Sequence, residues 1–164
     1  METRMVLYRP FPIGRWGIMD DGQGISRVFL RQEGAQPDGS EGATPLTLRA
    51  AAELEEYFAG KRRQFTVPLS PVGTEFQLAV WQALRDIPYG QTRSYGEIAA
   101  VVGRPRAARA VGMANRSNPL LILTPCHRVI GSGGKLTGFA CGLEVKRRLL
   151  ALEGAVLPRG DAAR

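Results

Sequence analysis

Histidine is almost missing from this chain, which has one histidine and two cysteines in 164 residues. A structural zinc site takes four Cys/His ligands. Cys126, His127 and Cys141 offer only three candidates, and two of these are chain neighbours whose side chains diverge, so no structural zinc or other metal is expected. Two cysteines exclude a disulfide framework, and one Cys126–Cys141 bridge would be unusual in a reducing cytoplasm. No apolar run approaches the ~18–20 residues of a membrane span. The first residues, METRMVLYRP, lack a signal-peptide core. The expectation is a cytoplasmic chain with no membrane partner. Hydrophobic residues at 44% and charged residues at 23% match average globular composition, which excludes wholesale disorder.

Acidic residues are missing from one long stretch. None occurs between Glu97 and Glu144, while Arg104, Arg106, Arg109, Arg116, Arg128 and Lys135 fall inside it. Residues 1–72 hold nine Lys+Arg against nine Asp+Glu, so the net charge of +7 belongs entirely to residues 73–164. A solvated face normally mixes signs. A one-sign stretch of this length points to an anionic partner, nucleic acid first.

The pattern divides in the same place. MVLYRPF, GRWGIMDD and GISRVFLR read as three strands, the last two joined by the turn Asp21-Gly22-Gln23-Gly24. Residues 32–45 read as an exposed loop and 46–59 as a helix ending at Gly60. FTVPL reads as a further strand and SPVG as a linker. Thr74-Glu75-Phe76-Gln77 is a capping box, predicting a helix with Phe76, Val80 and Leu84, flanked by Ala79 and Ala83, on its buried face. That helix stops at Pro88-Tyr89-Gly90. Ser94-Tyr95-Gly96-Glu97 opens a second helix through Val102, and a third spans about 106–116 after Gly103-Arg104-Pro105. Two short helices around a tight turn have the form of a helix-turn-helix. The third carries Ala, Gly and Arg, which suits a narrow groove and backbone contacts better than base-edge readout. The same pattern also fits a short amphipathic helix that only packs.

PLLILTPCHRVI, residues 119–130, carries the chemistry. A cysteine in apolar surroundings is most often inert. Here Pro125 fixes the backbone ahead of Cys126, and His127 and Arg128 bring positive charge, which lowers a thiol below its unperturbed ~8.5 and favours the nucleophilic thiolate.

PCHRVIG, preceded by SYGEIA and RAVGMANRSNP and followed by GKLTGFACG and LLALEG, resembles the O6-alkylguanine-DNA alkyltransferases over about residues 74–155. Residues 1–72 are similar only in general character, as the small sheet-containing domain that such proteins carry first. The resemblance implies an α+β fold in two parts. A small α/β, ribonuclease H-like domain at 1–72 precedes a helical, winged helix-turn-helix-like DNA-binding domain at 73–158, with 159–164 a loose tail. It implies direct reversal of O6-alkylguanine damage, with O4-alkylthymine also accepted, in duplex DNA by single-turnover alkyl transfer to the protein, a monomer needing no cofactor.

In that resemblance Cys126 is the acceptor, His127 the base acting through a water, and Glu153 the carboxylate that orients the histidine. Tyr95 hydrogen-bonds the leaving guanine. Arg109 fills the gap left by a flipped nucleotide, since a stacked base hides its O6 atom. Thr92, Ser94, Ala110, Gly112 and Arg116 complete the DNA-binding set. Pro125, Val129, Phe139 and Ala140 line the guanine pocket, where Phe139 stands in a place often held by Tyr. Asn118 ties the helix-turn-helix to the active segment, and Arg128 is a structural ion-pairing residue. Zinc ligands seen in some relatives are absent. Cys141 stands where Gly is common; it is expected to shape the pocket without accepting alkyl groups. A non-catalytic lesion binder or regulator would share the helix-turn-helix but has no use for Cys126, His127 and Glu153. A cysteine hydrolase would use the thiol but not the basic helices.

Overall fold

The computed structural model describes residues 5–31, 40–134, 136 and 142–155. Contacts divide the chain into two units, Met1–Val72 with Pro119–Leu121, and Gly73–Asn118 with Ile122–Arg164.

The first unit is a four-stranded sheet in the order β3-β2-β1-β4, formed by β1 (Met5–Phe11), β2 (Gly14–Asp20), β3 (Ile25–Leu30) and β4 (Ser40–Glu41). β1 to β3 are antiparallel, with Leu7 opposite Ile18 and Gly17 opposite Phe29, while β4 runs parallel to β1 at Met5 and Val6. The β2–β3 turn closes on a side chain. Asp21 Oδ1 accepts from the amides of Gln23 (2.9 Å) and Gly24 (3.0 Å), a local bond that lets Asp lead a turn. Helix α1 (Pro45–Phe58) packs on the sheet, burying Ala50, Leu54 and Tyr57 with Trp16 and Ile18 in one apolar layer. It starts one residue before the sequence suggested. Thr44 caps it, Thr47 completes the capping box, and Pro45 supplies the φ of a first helical turn at no cost in donors.

Two expectations in this unit fail. Within the predicted loop, Ser40 and Glu41 pair with the β1 edge. FTVPL is not a strand: it makes a single bridge, Ile25 with Leu69, through Ile25 N–H to the Pro68 carbonyl (2.8 Å). Its amides are already committed. Those of Thr66 and Val67 donate to the Glu53 carboxylate, and Pro68 has none.

The second unit is mainly helical, with α2 (Glu75–Arg85), β5 (Arg93–Ser94), α3 (Tyr95–Val101), α4 (Ala108–Arg116), β6 (Val129–Ile130) and α5 (Leu143–Leu152). The capping boxes at Thr74 and Ser94 form as the sequence predicts, each hydroxyl accepting an amide three residues on while the Gln77 or Glu97 side chain returns a bond. On α2 the buried set is Val80, Trp81, Ala83 and Leu84. Phe76 is half-buried under the Arg104 guanidinium and Ala79 is exposed. Trp81 rotates the buried face because its indole N–H reaches the Ala114 carbonyl (2.8 Å) while its ring fills the α2–α4 contact. α4 begins two residues later than expected, after an Arg104–Ala107 turn. β5 and β6 pair in parallel at Arg93–Val129 and Ser94–Ile130. α5, which the sequence reading did not name as a helix, buries Val145, Lys146, Leu149 and Leu150 at helical spacing. Among the described residues no helix is long and apolar enough to cross a membrane.

Candidate active site

The segment ahead of the cysteine is set by its backbone. Ile122 adopts a left-handed φ of 69°, costly for a β-branched residue, so its neighbours must hold it there. Pro125 (φ −80°, ψ 67°) forms an inverse γ-turn, with the Cys126 amide donating to the Thr124 carbonyl at 2.8 Å. That carbonyl also accepts from Asn118 Nδ2 (2.8 Å), and the Thr124 hydroxyl accepts from Arg85 Nη1 (3.0 Å). Cys126–Arg128 is then one 3₁₀ turn running into β6. Asn115, on the last turn of α4, donates Nδ2 to the Cys126 carbonyl at 3.3 Å. Both asparagines therefore tie the end of α4 and the residues after it to the cysteine segment.

All three polar groups behind the thiol are buried: His127 is 0% exposed, Arg128 5% and Glu153 6%, with Cys126 at 2%. Glu153 sits at the C-terminal cap of α5. Its Oε2 lies 2.6 Å from His127 Nε2 and 3.0 Å from Arg128 Nη2, and its Oε1 accepts from Arg128 Nε at 2.8 Å. Burial alone would raise this carboxyl. The hydrogen bonds from His127 and Arg128, together with the Arg128 charge, overcome that and hold it far below the ordinary carboxylate range. For His127 burial dominates and lowers the imidazole; the bond to Glu153 opposes this in part, and the charges of Arg128 and Lys146 add to the lowering. The result is an ionised glutamate beside a neutral histidine. A neutral imidazole bonded to a carboxylate through Nε2 carries its proton there, which leaves the Nδ1 lone pair as acceptor. Nδ1 is buried and accepts no hydrogen bond among the described residues. An imidazole with its proton-accepting atom uncommitted thus stands next in the chain to a buried thiol.

Tyr95, at the start of α3, is half-buried. Lys146 Nζ lies 6.0 Å from its ring centroid, and Gly112 of α4 lies so close that a Cβ there would come to 3.7 Å of the ring. Arg109, Ala110 and Arg116 are exposed on α4 beside Met113, whereas Gly112 is half-buried. Ser94 and Thr92 are half-buried; the Ser94 hydroxyl caps α3. Pro125 and Val129 are buried. Phe139, Ala140 and Cys141, and the tail at 159–164, lie outside the described residues. Among the described residues no three His, Cys, Asp or Glu side chains gather as metal ligands would. The sequence reading missed Asn115, Arg85 and Lys146. A lysine at 0% exposure has no signature in a run of basic residues between apolar ones such as VKRRLL. Asn115 had one: it lies on the face of α4 that carries Val111 and Ala114.

The chain is similar to known proteins over both of its units. The profile of the 6-O-methylguanine DNA methyltransferase DNA binding domain matches residues 75–155, and that of the 6-O-methylguanine DNA methyltransferase ribonuclease-like domain matches residues 6–71. A methylated-DNA–protein-cysteine methyltransferase of Methanosarcina acetivorans is 50% identical over 147 residues, spanning 88% of this chain and 94% of the relative. The constitutive one of Bacillus subtilis is 48% identical over 149 residues, spanning 87% and 90%. The crystal structure of Mycobacterium tuberculosis OGT in complex with DNA superposes with a TM-score of 0.84 at 43% identity, covering 92% of each chain. A two-part α+β architecture and relatives matched along almost their whole length converge, and the chain belongs to the methylated-DNA–protein-cysteine methyltransferase family.

Proposed function

We propose that this chain repairs DNA by direct reversal, moving the alkyl group of O6-alkylguanine in duplex DNA, and also of O4-alkylthymine, onto Cys126 in a single irreversible turnover. His127 Nδ1 takes the thiol proton through a water molecule. The thiolate attacks the alkyl carbon in line with the C–O bond; the C–S bond forms, the C–O bond breaks, and the electron pair leaves on the guanine. Tyr95 donates a hydrogen bond to the departing base. Val129 and Pro125 belong to the guanine pocket with Phe139 and Ala140. Arg109 enters the duplex where the nucleotide leaves the stack, and Ala110, Gly112, Thr92, Ser94 and Arg116 lie along the strand. Asn118 and Arg128 hold the scaffold. The protein acts as a cytoplasmic monomer, and because it is the acceptor it is consumed.

The observation that carries this reading is the uncommitted Nδ1 of a neutral, carboxylate-held His127 adjoining Cys126. Intact-mass measurement after mixing with a duplex containing O6-methylguanine should show one added methyl group, mapped by peptide analysis to Cys126 and absent in Cys126→Ala. No adduct would identify a lesion binder, demethylated DNA without an adduct a hydrolase, and an adduct on Cys141 would move the acceptor.

A further inference from the structure

The turn after α2 reaches the catalytic carboxylate from a side that the sequence motifs do not touch. Gly90 N–H donates to Glu153 Oε1 at 3.3 Å. The preceding Ile87 carbonyl accepts from Arg128 Nη1 at 2.7 Å, the Tyr89 ring centroid lies 5.7 Å from the Arg128 guanidinium carbon, and the Tyr89 hydroxyl donates to the Leu152 carbonyl at 3.5 Å. One turn therefore meets both the arginine that holds Glu153 and the last residues of α5 that carry it.

We propose that the Ile87–Gly90 turn is a positioning element for alkyl transfer, with Gly90 its key residue, acting on His127 through Glu153 and Arg128. This rests on the reading of His127 as the base. Gly90 and Arg128 Nε share Oε1, which turns Oε2 toward His127 Nε2. The carboxylate plane is thereby fixed, and with it the ring whose Nδ1 must meet the thiol proton. Only glycine serves comfortably here. Gly90 has a left-handed φ of 79°, and a Cβ would come 3.2 Å from the Glu153 carbonyl oxygen, so a side chain would push the amide off the carboxylate. Losing that donor makes Glu153 more basic and strengthens its hold on a protonated His127. The charged groups facing the histidine are Glu153 and Lys146 from α5 and Arg128 from its own turn, while Arg85 of α2 is turned to Thr124. None of the others changes in a Gly90 variant, so the histidine should titrate higher.

The test uses the full chain and free O6-benzylguanine, which needs no DNA contact. The transfer rate is measured across pH, together with thermal melting. Gly90→Ala should slow transfer at neutral pH by about tenfold, because sub-ångström misplacement of a proton acceptor is costly. It should also move the acid limb of the profile to higher pH. Gly90→Asn, which tolerates a left-handed φ better, should recover part of the loss. Tyr89→Leu, which keeps the turn but removes the ring from Arg128, should slow transfer less than Gly90→Ala and shift the limb in the same direction. A rate loss with an unmoved acid limb in the folded variants overturns the proposal, because damage to the fold lowers the active fraction without moving a titration. Unchanged rates in all three also overturn it. If Gly90→Ala does not fold, the other two variants decide. Absence of transfer in the parent chain would instead refute the acceptor reading itself.

Discussion

Each unit of this protein buries a glutamate, and the two carboxylates serve different ends. Glu53 on α1 is 4% exposed; its Oε1 accepts from the amides of Thr66 (2.9 Å) and Val67 (3.2 Å) and its Oε2 from the Thr66 hydroxyl (2.7 Å), with Arg49 at 3.6 Å. Glu153 is 6% exposed and faces His127, Arg128 and Gly90. Burial raises both carboxyls, and in both the donors win, leaving each below its ordinary range. Depth, ionisation and bonding are therefore alike. What differs is the partner. Backbone amides, a hydroxyl and guanidinium groups cannot give up a proton usefully, so Glu53 is a structural brace that pins residues 66–67 and pairs with Arg49 and Arg62. An imidazole can, so Glu153 sets the tautomer and charge of His127, the base in the proposed mechanism. A buried carboxylate marks a site only through what it is bonded to.

The sharpest way to break this comparison is to neutralise each carboxylate. Glu153→Gln leaves the Arg128 charge buried and unpaired, which costs about 3–5 kcal/mol of stability. Transfer from free O6-benzylguanine should fall at least about tenfold at temperatures where the variant is still folded, because the His127 tautomer is no longer enforced. Melting scans and stopped reactions at low temperature separate the two losses; a fully active Glu153→Gln would refute the role of Glu153. Glu53→Gln should cost less, about 1–3 kcal/mol, since neutral donors remain partly satisfied. It should leave the transfer rate per folded molecule unchanged. A slowed rate there would end the distinction between the two glutamates.

The smallest effect lies in pH. Both carboxylates hold protons less readily folded than unfolded, so the stability they add is present above their ordinary value of 4.5 and is lost as pH falls below it. His127 is also lowered, so its neutral form adds stability that begins to fade once pH drops through 6.5. Unfolding free energy should thus decline gently from near neutrality, at no more than about 1.4 kcal/mol per pH unit for the one proton of His127, and then more steeply, with the melting temperature falling alongside. His127→Gln should abolish the gentle part and Glu53→Gln should reduce only the steep part. A melting temperature that rises between pH 7 and 6 would show that His127 is protonated in the fold.

Several parts of this architecture were written locally. Three strands, the capping boxes at Thr74 and Ser94 and the short helices that follow them need only near neighbours, because period and caps act within one turn. The cluster of Pro125, Cys126, His127 and Arg128 is likewise legible by adjacency, and it forms one buried turn. Ala79 and Trp81 show the limit. Both fit an apolar stripe, and only the Ala114 carbonyl, far along the chain, decided that Trp81 turns inward.

The sequence by itself determined where the Pro125–Arg128 cluster stands, which helices are capped and where the positive charge lies, since these depend on residue identity and on spacings of a few positions. Tertiary structure decided the rest. FTVPL lost its strand because Glu53 took its amides, Pro119–Leu121 joined the first unit by pairing with Val28, and the Gly90 amide, 63 residues from Glu153, met its carboxylate. The reason is shared by all three: a buried donor or acceptor must find a partner, and the chain does not record which distant group will be there when it folds.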